Sequence, residues 1–517
     1  MKRGVFFILS ILLSISSLFG GIKEDVLKLI HSTDPEEQDI LISNIVKKDP
    51  RADQITLLIK NITFPEPKKR GIVTLENRCI DGITRPFCLY IPESYDPSKK
   101  TPLLVYLHGG VSRKEIIENP GEYVKESPFI PLSDDEGYIL LFPFGQGEAT
   151  WWDSVGVENI KAQVRIVKRD FNIDDNRVFM TGFSDGGSGS FFFAMCHPTD
   201  FAAFLPLNGH PGVGSLDGGI QTYLVNLFNH PLSVINTDED PLYPHEKMYP
   251  IMKLAIEAGA DLSYRIYKGI GHTFEYAPLE IPNMKIFMET HPREMHPTKI
   301  IWESVKRRHG RCMWLSVDSV AMESIPNWYE DHNLELIDER IAFGFYPDDT
   351  YEGPGIRMEK VVDSTFAYFV GAKDGDIIIK VKDDSVTSMD VLNEYKSSKK
   401  RGDPAEITVL RKGDKLILKG HFPPPQKYTL FRRENPSGRA EVLFHENRYF
   451  VRGSRLGSFT LFIHPDMVRS DKNVQVFLNG TLCHDKRITP DIDFMLRTFL
   501  ETRDREMLYI NKITVKK

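Results

Sequence analysis

The segment at residues 181–187, Thr-Gly-Phe-Ser-Asp-Gly-Gly, carries the strongest chemical signal in the chain. It follows the apolar run Arg-Val-Phe-Met at 177–180, so the pattern Gly-x-Ser-x-Gly is entered from a strand. Such a segment predicts a sharp strand-to-helix turn with the Ser184 hydroxyl raised above a sheet, and Gly182 and Gly186 leave room for the cramped backbone. A serine hydroxyl is a weak nucleophile until an imidazole takes its proton. His272, in the run Lys-Gly-Ile-Gly-His at 268–272, is the candidate base. A carboxylate is then needed to set the imidazole tautomer and stabilise the imidazolium. Asp238 and Asp240, in Asn-Thr-Asp-Glu-Asp-Pro at 236–241, both compete for that place.

These side chains need strands to bring them together. Residues 101–110, Thr-Pro-Leu-Leu-Val-Tyr-Leu-His-Gly-Gly, read as a buried parallel strand opening into a loop with free backbone donors. The N–H groups near Gly109 and Gly110, with that of Asp185, are candidates for binding an oxyanion. His108 reads as a structural residue of the loop. The segment 188–196 predicts a buried helix behind Ser184. Residues 231–237 read as a strand that ends in the two acids, and residues 245–260 as a helix that stops at Gly259. Residues 262–267 read as the strand before His272. Strands alternating with helices predict a doubly wound, mostly parallel α/β sheet with its chemistry at the carboxyl ends of the strands.

Residues from about 66 to 290 resemble the α/β-hydrolase superfamily, and within it serine esterases of the polyhydroxybutyrate depolymerase and feruloyl esterase type. The resemblance rests on Trp-Trp-Asp-Ser-Val-Gly-Val-Glu-Asn at 151–159, on residues 171–187, and on the order Ser, Asp, His along the chain. It implies a triad of Ser184, Asp240 and His272 acting on carboxylic esters through an acyl-enzyme. Asp240 is favoured because Asp-Pro-Leu-Tyr-Pro resembles the Asp-x-x-Val-Pro segment of many members. Gly109, Gly110 and Asp185 would form the oxyanion hole, with no metal and no organic cofactor. Trp151 and Trp152 either line the substrate pocket or cap the core. Two rival readings stay open: a peptidase of the prolyl-oligopeptidase type, and a non-catalytic binding protein on a hydrolase scaffold.

With 517 residues, 41% of them hydrophobic and 26% charged, the chain has enough apolar material for two to four domains. A net charge of −7, with no basic stripe, argues against nucleic-acid binding. Residues 1–20 combine a basic start, a short apolar run and a small-residue exit. They read as an export signal, which places the mature protein in the periplasm or outside the cell, with no membrane span after its removal. Five cysteines in a chain of this length do not suggest a disulfide framework. No zinc-ligand spacing is present, and His291 and His296 read as linker.

Around the hydrolase-like region, residues 21–65 show helical apolar spacing and are expected to pack on a neighbouring domain or to bind a partner. Residues 333–421 resemble a PDZ domain. The match consists of Ala342-Phe343-Gly344-Phe345 where the carboxylate-binding loop would be, a Gly-Asp turn at 375–376, a helix from Ser388, and a strand ending in Arg-Lys-Gly at 411–413. The resemblance implies capture of a peptide or protein C-terminus, although Ala342 replaces the loop's first glycine. Such a unit can also serve only to pack against its neighbours. Strand-like segments at 293–332 and 422–517 suggest one small accessory β domain into which the PDZ-like unit is inserted. The catalytic region is expected over 66–292.

Overall fold

A computed structural model describes residues 21–322, 327–339, 341–348 and 350–516, so the export signal expected at 1–20 lies outside the described residues. The chain divides into two compact units, Met1–His332 with Phe431–Lys517, and Asn333–Leu430.

The first unit begins with a helix at 21–31, then α1 (Pro35–Lys47) and α2 (Ala52–Lys60). The Asp34 side chain caps α1 by accepting from the Glu36 N–H, and Pro35 sits in the first turn, where its missing donor costs nothing. Val26, Leu29, Ile45 and Ile59 are fully buried in the core of the accessory β region. The segment therefore packs on that region.

Next comes an eight-stranded mixed sheet: β1 (Gly71–Arg78), β2 (Thr84–Ile91), β3 (Thr101–Leu107), β4 (Ile139–Pro143), β5 (Ile173–Phe183), β6 (Ala203–Leu207), β7 (Leu232–Thr237) and β8 (Leu262–Tyr267). The order is β1-β2-β4-β3-β5-β6-β7-β8. β2 runs antiparallel to both neighbours, and β3 to β8 are parallel. Every residue of β3, β4, β6 and β7 is buried, which explains the apolar runs at 102–107, in β4 and in β6. The helices α3 (Ser154–Asp170), α4 (Asp185–Cys196), α5 (His245–Glu257) and α6 (Ala277–Thr290) connect or follow the strands. α4 is buried all round from Gly186 to Cys196, as its nearly polar-free sequence requires. The chain leaves β3 toward β4 on one side and returns to β5 on the other. Such a reversal opens a crevice at the carboxyl ends of β3 and β5.

Three accessory strands follow: β9 (Lys299–Ser304), β10 (Arg311–Cys312) and β11 (Leu315–Val320). The second unit then contributes β12 (Leu334–Asp338), β13 (Phe345–Pro347), β14 (Ile356–Val361), β15 (Ile377–Val381), β16 (Asp384–Ser385), α7 (Met389–Ser397), β17 (Pro404–Arg411), β18 (Asp414–His421) and β19 (Gln426–Leu430). Its main sheet runs β13-β14-β15-β17-β18 over a core that includes Phe343, Met358, Phe366, Ile378, Leu392 and Val409. The unit extends past His421 to Leu430 because β19 pairs with β12.

Back in the first unit, β20 (Gly438–His445), β21 (Arg448–Ser454), β22 (Leu456–Ile463), β23 (Val474–Leu478), β24 (Thr481–Lys486), α8 (Ile492–Thr502) and β25 (Asn511–Lys516) complete two sheets, β10-β11-β22-β25 and β24-β23-β21-β20-β9. Both sheets draw strands from either side of the second unit. The free edge of β9 is closed by two asparagine side chains that imitate a neighbouring strand. Asn226 bonds both the N–H and the carbonyl of Glu303 (2.8 and 2.9 Å), and Asn229 does the same for Ile301 (3.1 and 2.7 Å).

A buried ionic cluster ties α3, β5 and the segment after α6 to the segment that follows α8. Asp504 accepts from Lys168 (2.9 Å) and from Arg293 (3.0 Å), while Asp175 meets Lys168 and Arg505, each at 3.2 Å. All five side chains are 5% exposed or less. Burial would push the Asp504 carboxyl up, but Arg293 and Lys168 outweigh it and hold it below the usual carboxylate range. The five cysteines are free thiols, four of them buried. Among the described residues no helix is long and apolar enough to cross a membrane. Replacing Asp504 by Ala takes from buried Arg293 the carboxylate it bonds and from buried Lys168 one of its two, and the expected loss is about 3–5 kcal/mol of stability. Chemical denaturation of the full chain checks this, and a loss below about 1 kcal/mol, the range of an exposed pair, would refute it.

Candidate active site

β5 ends at Phe183 and α4 begins at Asp185, leaving Ser184 alone at the bend with φ 59° and ψ −119°. A non-glycine residue in this region stores backbone strain that its surroundings must hold. The close approach behind the bend explains Gly186: a Cβ there would lie 1.8 Å from the Leu107 carbonyl oxygen. Thus β3 and α4 touch through backbone alone, and the serine is pushed up between them.

The structure brings three of the sequence candidates into one hydrogen-bonded series. Ser184 Oγ lies 2.7 Å from His272 Nε2, and His272 Nδ1 lies 2.7 Å from Asp240 Oδ2. Asp240 and Asp238 are separated by their partners: Asp238 accepts from the Gly269 N–H at 2.7 Å and holds the loop before the histidine. The Asp240 carboxylate also accepts from Asn208 Nδ2 (2.9 Å) and from the Leu242 and Tyr243 N–H groups (2.8 and 3.0 Å). Burial would raise its pKa, but the bonds from His272, Asn208 and the Tyr243 N–H hold the carboxyl below its ordinary range. An acid that stays ionised and fully bonded can only accept from the imidazole, which places the ring's second nitrogen as acceptor for the serine proton. The rings of Phe183 and Tyr243 flank His272, at 5.0 and 5.8 Å between centroids.

Asn208 and Tyr276 were not singled out by the sequence. Tyr276 donates to Asn208 Oδ1 at 2.6 Å, and Asn208 donates to both Thr237 (2.7 Å) and Asp240. Asn208 stands one residue past the carboxyl end of β6, the position at which functional side chains of such sheets gather.

On the opposite side of the serine, the loop approaches so closely that a Cβ at Gly109 would lie 3.0 Å from the Ser184 Cβ. The N–H groups of Gly109, Gly110 and Asp185 donate to nothing among the described residues. The Asp185 carboxylate takes the next donor of the loop, the Val111 N–H, at 3.0 Å. One residue therefore joins the turn at the nucleophile to the loop after β3. His108 is half-buried between two backbones: Nδ1 donates to the Gly109 carbonyl (2.7 Å) and Nε2 accepts from the Gly145 N–H (3.0 Å). Burial lowers its pKa, as a neutral loop strut requires. Trp151 and Trp152 do not face solvent, being 1% and 6% exposed, and Trp151 Nε1 donates to the His108 carbonyl at 2.9 Å. Of the two roles left open for them, the burial favours the core. A cavity of about 330 Å³ opens beside Gly109, walled by Tyr123, Phe144, Ile116 and Arg113.

Ala342 to Phe345 precede and enter β13, an edge strand of the second unit. Ala342 is exposed, whereas Phe343 is buried against Phe366 and Phe422 and stacks on Tyr395 of α7. His296, read as linker, meets His464 and Asp466, with one ligand atom from each within 4.8 Å of the others. The Asp466 N–H already engages His464 Nδ1 at 3.2 Å, so this set is a hydrogen-bonded cluster with one nitrogen spent.

Against this geometry, a profile of the dienelactone hydrolase family, an α/β-hydrolase family, matches residues 146–286. The chain is 29% identical over 131 residues to a bifunctional acetylxylan esterase/xylanase of Neocallimastix patriciarum, covering 25% of this chain and 18% of that protein. It is 29% identical over 177 residues to a probable feruloyl esterase C of Aspergillus terreus, covering 33% and 60%. The chain thus spans less than two thirds of the length of these relatives. Among solved structures, a thermostable esterase is similar with a TM-score of 0.35 and 22% identity, covering 43% of this chain and 63% of that one.

The bond from Val111 to Asp185 has a measurable consequence. Asp185→Ala releases the loop and is expected to slow the labelling of Ser184 by a fluorophosphonate roughly tenfold, the worth of a charge-assisted hydrogen bond. Asp185→Asn keeps an acceptor and should label near the wild-type rate. Equal rates for Ala and wild type would show that the carboxylate holds nothing that matters.

Proposed function

We propose that this protein is an exported serine hydrolase that cleaves carboxylic esters. Ser184 Oγ attacks the ester carbonyl as His272 Nε2 takes its proton, and the tetrahedral oxyanion rests on backbone N–H groups of Gly109, Gly110 and Asp185. His272 then gives the proton to the departing alcohol, leaving an acyl-enzyme on Ser184. Water, deprotonated by the same imidazole, releases the acid and restores the serine. Asp240 keeps the ring oriented and stabilises its charge. The observation that carries this reading is the series of two 2.7 Å contacts from Ser184 through His272 to Asp240, ending on a carboxylate with no spare acceptor role. The ester class is supported by the acetylxylan and feruloyl esterases among the relatives. It is also supported by a cavity of about 330 Å³ beside Gly109 that has room for an acyl group between aromatic walls.

The second unit is read as a PDZ-like module. The unpaired edge of β13 and the neighbouring α7 supply what peptide binding by strand addition needs. Residues Ala342 to Phe345 would receive the carboxylate of a chain end.

Ser184→Ala is expected to lower kcat/KM for p-nitrophenyl acetate by about 10³-fold or more, with the protein still folded. Turnover near the wild-type level would remove the proposed mechanism. Measured on the wild type, faster cleavage of matched peptide anilides than of esters would move the chain to the peptidases.

A further inference from the structure

The outer face of the β10-β11-β22-β25 sheet is hollowed by α8 and the turn at Arg307 into a groove of about 470 Å³, the size of a small-ligand site. Cross-strand register lays a polar row along its floor: Arg311 opposite Ser316, Ser316 opposite Thr460, Thr460 opposite Thr514. Lys516, opposite Ser458, and Lys512, opposite Phe462, stand beside that row. Four cations, Arg307, Arg311, Lys512 and Lys516, thus face two carboxylates, Asp318 and Glu501, in a chain whose net charge is −7.

The two acids do little to neutralise the groove. Asp318 is occupied by the Ser316 and Thr460 hydroxyls (2.8 and 2.6 Å). Glu501 lies 3.6 Å from Arg311. Among the described residues Arg307, Lys512 and Lys516 have no carboxylate partner. Arg311 Nη2 is buried without any hydrogen-bond partner. The Arg311 guanidinium sits 4.2 Å over the Phe462 ring and Lys512 lies 5.3 Å over Phe494, so both heads are held in place. Cations that outnumber their counter-charges, beside Ser316 and Thr460 hydroxyls whose protons go to Asp318 and whose oxygens can still accept, suit a ligand bearing anionic groups and hydroxyls of its own.

We propose that this groove binds an acidic oligosaccharide. Its carboxylates would meet Arg307, Arg311, Lys512 and Lys516, and its ring hydroxyls the Ser316-Thr460-Thr514 row. The proposal is independent of the chemistry assigned to Ser184, and would give the protein a hold on a uronate-bearing polymer.

Calorimetric titration of the full chain with a galacturonate trimer tests it, with neutral xylotriose and inorganic phosphate as comparison ligands. The uronate trimer should bind saturably, more weakly as salt is raised, and xylotriose should not bind. In the triple variant Arg307→Gln, Lys512→Gln, Lys516→Gln the affinity should fall roughly tenfold or more. The melting temperature and p-nitrophenyl acetate hydrolysis should stay unchanged, because all three side chains are exposed and none belongs to the Ser184 site. The proposal is overturned by a lack of saturable uronate binding, by xylotriose binding as tightly, by phosphate competing as well as the trimer, or by unchanged affinity in the variant.

Discussion

At Ser184 the backbone turns from strand to helix in a single residue of positive φ, and it can do so only because Gly186 lets α4 rest on the carbonyl of Leu107. The strain at the bend is held by its surroundings: a strand buried on both faces in front, a helix buried all round behind, and the Leu207 carbonyl accepting the Ser184 N–H at 3.0 Å. What the bend achieves is position. It sets the hydroxyl at the carboxyl edge of the sheet, within reach of a loop from β8 on one side and the loop from β3 on the other. Every other polar group at the site is arranged around that point. Asp240 is saturated with donors so that it orients the imidazole, and Asp185 ties the turn to the Val111 N–H.

The sheet that carries this bend is tied to the accessory β region by side chains rather than by strand pairing. The Lys168, Asp175, Arg293, Asp504 and Arg505 cluster is fully enclosed, and buried charges are tolerated only when each has close partners. The paired asparagines at Asn226 and Asn229 close the open edge of β9 with the geometry of a strand. These contacts, with the N-terminal helices buried in the same accessory core, make the first unit one body in which the groove over β10, β11, β22 and β25 and the Ser184 crevice belong to a single framework. The second unit has its own core, which includes Phe343, Phe366 and Leu392, and its own sheet, of which β13 is an edge.

Much of the site was legible from residue order alone, because local rules carry it. A strand must be apolar to be buried, a one-residue bend needs glycines around it, and a histidine one strand after an acid falls at the same sheet edge. The choice between Asp238 and Asp240 was not decidable that way. The two lie two residues apart on one loop, and only the folded positions of Gly269 and His272 give them different partners. Trp151 and Trp152 show the same limit: an indole beside a turn reads equally as a wall or as core, and only the folded chain sets Trp151 against Gly189 of α4 and Trp152 against Gly218.

The sequence by itself singled out Ser184 and His272 as candidates, the loops that offer N–H groups and the alternation that builds a parallel sheet, since each depends on neighbours within a few residues. Only the tertiary structure decided which acid serves the histidine, that Asn208 and Tyr276 stand behind it, and that cations from Arg307 to Lys516 share one groove. Those relations join residues tens to hundreds of positions apart, and whether two such side chains meet depends on strand order and register, which no local pattern encodes.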